Sequence, residues 1–250
     1  MIITFNQTKV DRIRDRYIKK HYTLILKDLN KQLTSLTTTI DAGIINKAPE
    51  VNIDVRGSVF NLYMEVGTRF GNISQDKFNE VLQKKGKNDN LFQKLLNQYY
   101  ENYVANLVKN VSETVQNEIR GVIEKTLLKD LTIQQTKKEL LKGIKNITKQ
   151  RALVIARTET IRASNAGNLV GAASTGLEFN KIWISHIDSR IRDEHITANG
   201  QKVGKNDLFK VGGESLAFPA DTSHGASAWN TIQCRCSIGY EPILPEVFDE

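Results

Sequence analysis

Cys234 and Cys236 are the only cysteines of the chain. They flank Arg235, and in an extended segment residues two apart face the same side. Two thiols on one side, with an imidazole nearby, form a zinc-binding pattern. His195 is one candidate for a further ligand, and His224, His186 and Asp188 are others. The usual Cys-x-x-Cys pair is absent, so the ligand set stays open, and the alternative is that both thiols are small core residues. A disulfide between residues two apart would be strained, which argues against a disulfide scaffold. A second constellation comprises Asp188, Arg190, Arg192, Asp193 and His195. The spacings Asp188 to Arg192 and Arg192 to His195 suit one helix face. A carboxylate, a guanidinium and an imidazole so placed can do acid–base chemistry. They can equally form an ion-pair network that fixes a turn, and the lack of an accompanying nucleophile or phosphate loop favours that reading. In Arg157-Thr158-Glu159, an Arg and a Glu on a helix suit a salt bridge better than a nuclease or ADP-ribosylating centre. The chain has no Gly-x-x-x-x-Gly-Lys-Ser/Thr loop, Gly-x-Ser-x-Gly elbow or His-Glu-x-x-His pair. The expectation is a non-enzymatic protein with no cofactor, zinc being the open alternative.

These residues follow a long helical region. Apolar residues at three- and four-residue steps predict a helix over 9–46, closed by Gly43 and Pro49, with a weaker last turn at Thr37-Thr38-Thr39. A second helix is expected over 56–70, broken by Gly67 and Gly71, with a new start at Ser74-Gln75-Asp76. From Leu91 to Leu127 an apolar residue recurs every fourth position. That step drifts around a helix by roughly 40° each time, so the stripe winds. Tyr99, Tyr100 and Tyr103 in this stripe read as core rather than as a base-stacking platform. Thr132 and Gln135 form a capping box opening a short helix over 133–144. Another helix should run from Thr148 to about Ser174, stopped by Gly176. Its small residues, among them Ala163, Ala166, Gly167, Gly171 and Ala172, predict a central, closely approached helix.

Beyond Gly176 the pattern changes to strands and loops. Phe179–Ile187 reads as a strand, 189–197 as a short helix, and 216–218 and 233–242 as further strands. The expected fold class is α+β: a mostly helical N-terminal region, 1–147, followed by a small C-terminal α+β module with a short antiparallel sheet, 148–250.

Charge divides along the same line. The net charge is +7, yet residues 151–250 hold 10 basic against 12 acidic residues, leaving 25 against 16 in residues 1–150. A basic excess of that kind suits contact with a polyanion such as DNA, or simply a solvated lysine-rich surface. Lys84, Lys85 and Lys87, in a polar break, are candidate phosphate contacts. No stretch approaches the roughly 18 apolar residues of a membrane span. The N-terminus carries no secretory pattern, so synthesis in a cytoplasm is expected.

Read in order, several pieces resemble one family. They are Ala156-Arg157-Thr158-Glu159-Thr160, Lys181-Ile182-Trp183, Asp188-Ser189-Arg190-Ile191-Arg192-Asp193-Glu194-His195, Asn199-Gly200-Gln201, Leu216-Ala217-Phe218-Pro219, and Asn230 through Cys234-Arg235-Cys236. Each is weak alone, but the series is similar to the C-terminal domain of the phage Mu protein F-like minor head (head morphogenesis) proteins. The resemblance implies a structural motif of Arg157, Glu159, Asp188, Arg190, Arg192, His195, Cys234 and Cys236. It implies a virion protein at the portal vertex or in the head interior of a tailed bacteriophage, present in the host cytoplasm during assembly. The implied partners are the portal protein, the major capsid protein or scaffold, and double-stranded DNA bound without sequence preference. Many relatives carry Cys-x-x-Cys in place of Arg192 to His195 and a His-Pro before the final Cys-Arg-Cys. Only His195 stands at the first spot here, so a zinc ligand set is not carried over whole. The second reading is a metal-dependent enzyme or toxin domain built on His195, Cys234 and Cys236.

Overall fold

A computed structural model describes residues 2–34, 53–82, 89–129 and 131–244. Lys84, Lys85 and Lys87, the threonine run 37–39, and the stop at Gly43 and Pro49 lie outside the described residues. The fold is α+β, with long helices first and short antiparallel sheets in the C-terminal part.

Helix α1 spans Gln7–Gln32 and starts two residues before the expected point. Asn6 caps it, its Oδ1 accepting from the Lys9 amide at 3.0 Å, which satisfies one of the free amides of the first turn. The next helical stretch, Arg56–Leu82, is unbroken. It consists of α2 (Arg56–Leu62), a π-helical turn (Tyr63–Gly67) and α3 (Thr68–Leu82). Gly67 and Gly71 do not end it, and Ser74 and Gln75 lie buried within α3 rather than at a helix start.

Helix α4 covers Asp89–Leu127 and α5 covers Ile133–Ala173. Gly121 leaves α4 intact. The two helices expected over 133–144 and 148–174 are one. The capping box at its start is present: Gln135 N–H donates to Thr132 Oγ1 at 3.3 Å, and Thr132 N–H to Gln135 Oε1 at 2.9 Å. Thr148 does not open a helix; its hydroxyl donates back to the Ile144 carbonyl at 2.8 Å. Gly143 is a packing residue, because a Cβ there would come within 2.5 Å of Val122 Cγ1. Gly176, at φ +77°, takes the left-handed conformation that follows the helix end.

Glycine also explains the unbroken passage through Gly67 and Gly71. A Cβ on Gly167 would sit 2.3 Å from the Gly67 carbonyl oxygen, and one on Gly171 2.4 Å from that of Gly71. Two glycine pairs thus let α5 touch the backbone of the π turn and α3. Gln75 ties the same surfaces, donating to Ser174 Oγ at 2.8 Å.

Strands β1 (Glu178–Ile184), β2 (Lys202–Gly204) and β5 (Ser237–Ile243) form an antiparallel sheet in the order β2-β1-β5, with Trp183 opposite Ile238. Ile3 bridges Tyr240 on β5 through two backbone hydrogen bonds. Strands β3 (Phe209–Val211) and β4 (Glu214–Leu216) make a hairpin. Its turn residues Gly212 and Gly213 have φ of 56° and 80°, as a two-residue turn with positive φ at both positions requires. Short helices α6 (Asp193–Thr197) and α7 (Ala228–Thr231) complete the order.

The chain forms two compact units. The first gathers the described residues of 1–17, 61–103 and 157–250, the second those of 18–60 and 104–156. This grouping differs from the division expected at 147/148, because α1, α4 and α5 each contribute to both units. In the first unit Phe78, Phe179 and Tyr240 pack edge to face at 5.1–5.4 Å between ring centres. In the second, Ile25, Leu29, Ile53, Val59, Leu107, Val115, Ile119, Ile123, Leu140 and Ile144 are buried. Of the expected stripe of α4, Leu107, Val115, Ile119 and Ile123 are buried; earlier in the helix the buried residues are the neighbours Phe92, Leu96 and Tyr100, and the ends Leu91 and Leu127 are exposed.

Candidate functional site

The site grows from one face of α5. Glu159 and Arg162 stand three apart and are both buried, with Arg162 Nη1 donating to Glu159 Oε1 at 2.6 Å. Tyr63, held in the π turn, donates to Glu159 Oε2 at 3.1 Å, and Tyr103 on α4 to Oε1 at 3.2 Å. The Arg162 guanidinium also stacks over the Tyr103 ring, 4.6 Å from its centre. Burial opposes the charge on Arg162, but Glu159 beside it holds the guanidinium protonated. Burial, with Glu159 nearby, pushes the Tyr63 hydroxyl well above the usual range. Tyr63 and Tyr103 are therefore core hydrogen-bond donors, and Tyr99 and Tyr100 pack against the Tyr63 ring.

Arg162 Nε reaches the Ala220 carbonyl at 2.6 Å. Ala220 has φ +72°, a strained value for a residue with a Cβ, in the turn that follows Phe218-Pro219. One helical turn on, Asn165 donates to Pro219 O at 2.9 Å and to Cys236 O at 3.1 Å. Its Oδ1 accepts from Arg14 Nη2 at 3.0 Å. Arg14, on α1, is fully enclosed and also donates to Ser164 Oγ, Ser237 Oγ and the Arg235 carbonyl at 2.9–3.2 Å. Burial lowers its pKa to about 10. Among the described residues no carboxylate lies within ion-pair distance of Arg14, so neutral oxygens carry its charge.

Asp221 is enclosed beside the same turn, accepting from the amides of Ala217 and Ser223 at 2.9 Å. His224 lies against it at 3.2 Å. Lys181 on β1 is buried, donating to the carbonyls of Asp207 at 2.7 Å and Ala217 at 3.0 Å, and burial brings its pKa down to about 8.

His195 Nδ1 lies 3.7 Å from Cys234 Sγ and 3.4 Å from Cys236 Sγ. All three side chains are buried, and Trp183 packs edge to face with the imidazole at 5.5 Å. The cysteines do not lie in a strand as expected. They precede β5 in an irregular segment, where Gln233 has φ +56°. Both sulfurs nevertheless converge on one ring nitrogen. The Cys236 thiol is held below its usual range, first by a hydrogen bond from Cys234 and then by His195, against the opposing effect of burial. His224 and His186 are engaged elsewhere, and among the described residues the metal-ligand cluster holds His195, Cys234 and Cys236 alone.

The expected shared helix face of Asp188, Arg192 and His195 does not exist, because α6 begins only at Asp193. Asp188 pairs instead with Arg235, which holds its carboxyl well below the usual carboxylate range. Arg190 N–H caps Asp188 Oδ1 at 2.8 Å. Arg192 precedes α6 in an extended conformation, donates to the Ile232 carbonyl at 2.7 Å and lies over the exposed Trp229 ring. Arg157 is exposed and makes no ion pair among the described residues, so the expected Arg157–Glu159 bridge is replaced by Arg162–Glu159. Arg14 and Arg162 are the two central residues that motif reading missed. Their signal was positional only: a charge within an apolar helical pattern.

The arrangement is a polar scaffold in which buried charges are matched and irregular backbone is tied to helix faces. It defines a structural α+β module with a thiol–imidazole cluster at its centre. Residues 117–239 match the family model described as Phage Mu protein F like protein. No curated protein and no solved structure matches the chain. The family relation points to a role in phage head morphogenesis. No helix among the described residues is long and apolar enough to cross a membrane.

Proposed function

We propose that the chain is a minor capsid protein of a tailed bacteriophage that acts at the portal vertex or inside the head, as a structural component and not as an enzyme. The match of residues 117–239 to the phage Mu protein F-like family is the observation that carries this reading. The partners that follow are the portal protein and the major capsid protein or scaffold. The buried, mutually satisfied side chains around Glu159, Arg162 and Asn165 suit a rigid assembly component. Mass spectrometry of purified virions and of heads lacking DNA, with co-purification on portal rings, tests the proposal. Presence in both particles and retention on the portal are expected. Absence from virions would overturn it.

Contact with double-stranded DNA is the second part of the proposal. Lys138, Lys142, Lys145 and Lys149 are all exposed on α5 at steps of four, three and four residues. That spacing keeps them on one helix face over roughly 16 Å. Among the described residues none of the four makes an ion pair. A single-sign stripe of this kind suits phosphates read without regard to base. Gel shifts of the full chain at low and high salt test it. Binding at low salt that weakens steeply with salt is expected, and no binding at low salt would overturn it.

A further inference from the structure

The thiol–imidazole cluster has the dimensions of a metal site. Zinc bonds of about 2.3 Å to sulfur and 2.0–2.1 Å to nitrogen, at the tetrahedral angle, place a sulfur about 3.6 Å from a nitrogen on the same ion. The two distances from His195 Nδ1 to the sulfurs are 3.7 and 3.4 Å, one on each side of that value. The three ligand atoms all lie within 4.8 Å of one another. His195 Nε2 is buried without a hydrogen-bond partner. Nδ1 is the ring atom that faces both sulfurs. A zinc ion with two thiolates is electrically neutral, which suits a site enclosed by the apolar core that includes Trp183 and Ala198.

We infer that His195, Cys234 and Cys236 bind one zinc ion, which fastens helix α6 to the irregular segment before β5. The assignment goes beyond the head-protein reading and does not depend on it. The three side chains fill three of the four tetrahedral positions and leave the fourth to a water, and they are at most 2% exposed, which shields the ion from bulk solvent. Because the site involves both of the chain's cysteines, thiol-dependent signals report on it alone.

The test uses the full chain purified under reducing conditions without chelator. Elemental analysis should find about one zinc per chain, as a single site requires. After the zinc is stripped, titration with cobalt(II) should produce thiolate-to-cobalt charge-transfer absorption that saturates at one equivalent. His195→Ala and Cys236→Ser should each abolish most of that absorption. A folded wild-type chain with both thiols reduced that carries no zinc and gives no charge-transfer band would overturn the assignment. Unchanged cobalt spectra in both variants would overturn it as well. The wild-type titration decides the question even if the variants do not fold.

Discussion

Replacing Gly167 by alanine tests the glycine contact in which α5 meets the π turn, and it does so by the sign of the effect. In the interior of an ordinary helix, glycine to alanine stabilises by about 1 kcal/mol. At Gly167 the added Cβ would lie 2.3, 2.7 and 2.8 Å from the carbonyl oxygen, Cα and carbonyl carbon of Gly67, where ordinary contact is 3.4–4 Å. These are backbone atoms, so no rotamer relieves the overlap and the helices must part by about 1 Å, a gap that forfeits up to about half of each dispersion contact across it. Overpacking of this kind costs about 1–3 kcal/mol or somewhat more. The helix-propensity gain does not offset the upper part of that range, and a net loss of about 2 kcal/mol is expected. For a chain of this length that lowers Tm by roughly 4–8 °C. Gly121 on α4 is the control: nothing lies within 4 Å of its Cβ position, so Gly121→Ala should raise Tm by roughly 2–4 °C. Gly143→Ala should fall between, because its obstacle is the Val122 side chain, which can turn. Circular dichroism melts of the three variants decide the matter. A Gly167→Ala chain that melts at or above wild type would refute the backbone-contact argument.

Glu159→Gln keeps the shape of the side chain but leaves the buried Arg162 guanidinium without its anion, so a loss of about 3–5 kcal/mol is expected in urea unfolding. Pairing it with Arg162→Leu should recover part of that loss, and a single variant as stable as wild type would count against the ion pair. Asp188, whose carboxyl Arg235 holds below its usual range, contributes stability that is present above about pH 4 and fades as pH falls through the lowered folded value. The Tm gap between wild type and Asp188→Asn should therefore narrow in melts below pH 4, and a gap constant from pH 7 to pH 2 would show that the pair is not the cause. Changing Lys138, Lys142, Lys145 and Lys149 together to alanine should reduce the slope of log K against log salt by about 3.6, at about 0.9 per phosphate contact on duplex DNA. An unchanged slope would move the DNA contact elsewhere.

Helices and strands were legible where periodicity alone decides them. The capping box at Thr132, the Gly176 stop and the strands β1 and β5 follow from local pattern, whereas the three-residue strands β2 and β3 were not foreseen. Glycine misled the reading at Gly67, Gly71 and Gly143, because a glycine required by a neighbouring helix has the same local signature as one that ends its own. Gly167 and Gly171 were read correctly as marks of close approach, but their partners lie about 100 residues away in sequence, beyond any local window. The thiols and His195 were recognised from residue type. What placed them together was neither a strand nor a shared helix face, but an irregular segment whose path depends on Asn165 and Arg14. Arg162 could not be told from a surface arginine, since its partners Tyr103 and Ala220 lie about 60 residues away on either side in sequence.

The side chains that first looked like reaction chemistry share a different task. The segments 217–221 and 234–236 are irregular and largely enclosed, so their carbonyls lack sheet or helix partners and need others. Arg162 takes the Ala220 carbonyl, Asn165 those of Pro219 and Cys236, Arg14 that of Arg235, Arg192 that of Ile232, and Lys181 that of Ala217. Each donor stands at a fixed place on α1, α5, β1 or the start of α6, so each constrains the path of one loop residue. A substitution at Arg162 or Asn165 orphans a buried acceptor at about 1–3 kcal/mol. Every short piece of the spaced series from Ala156 to Cys236 is therefore uninformative alone, while the ordered whole is specific.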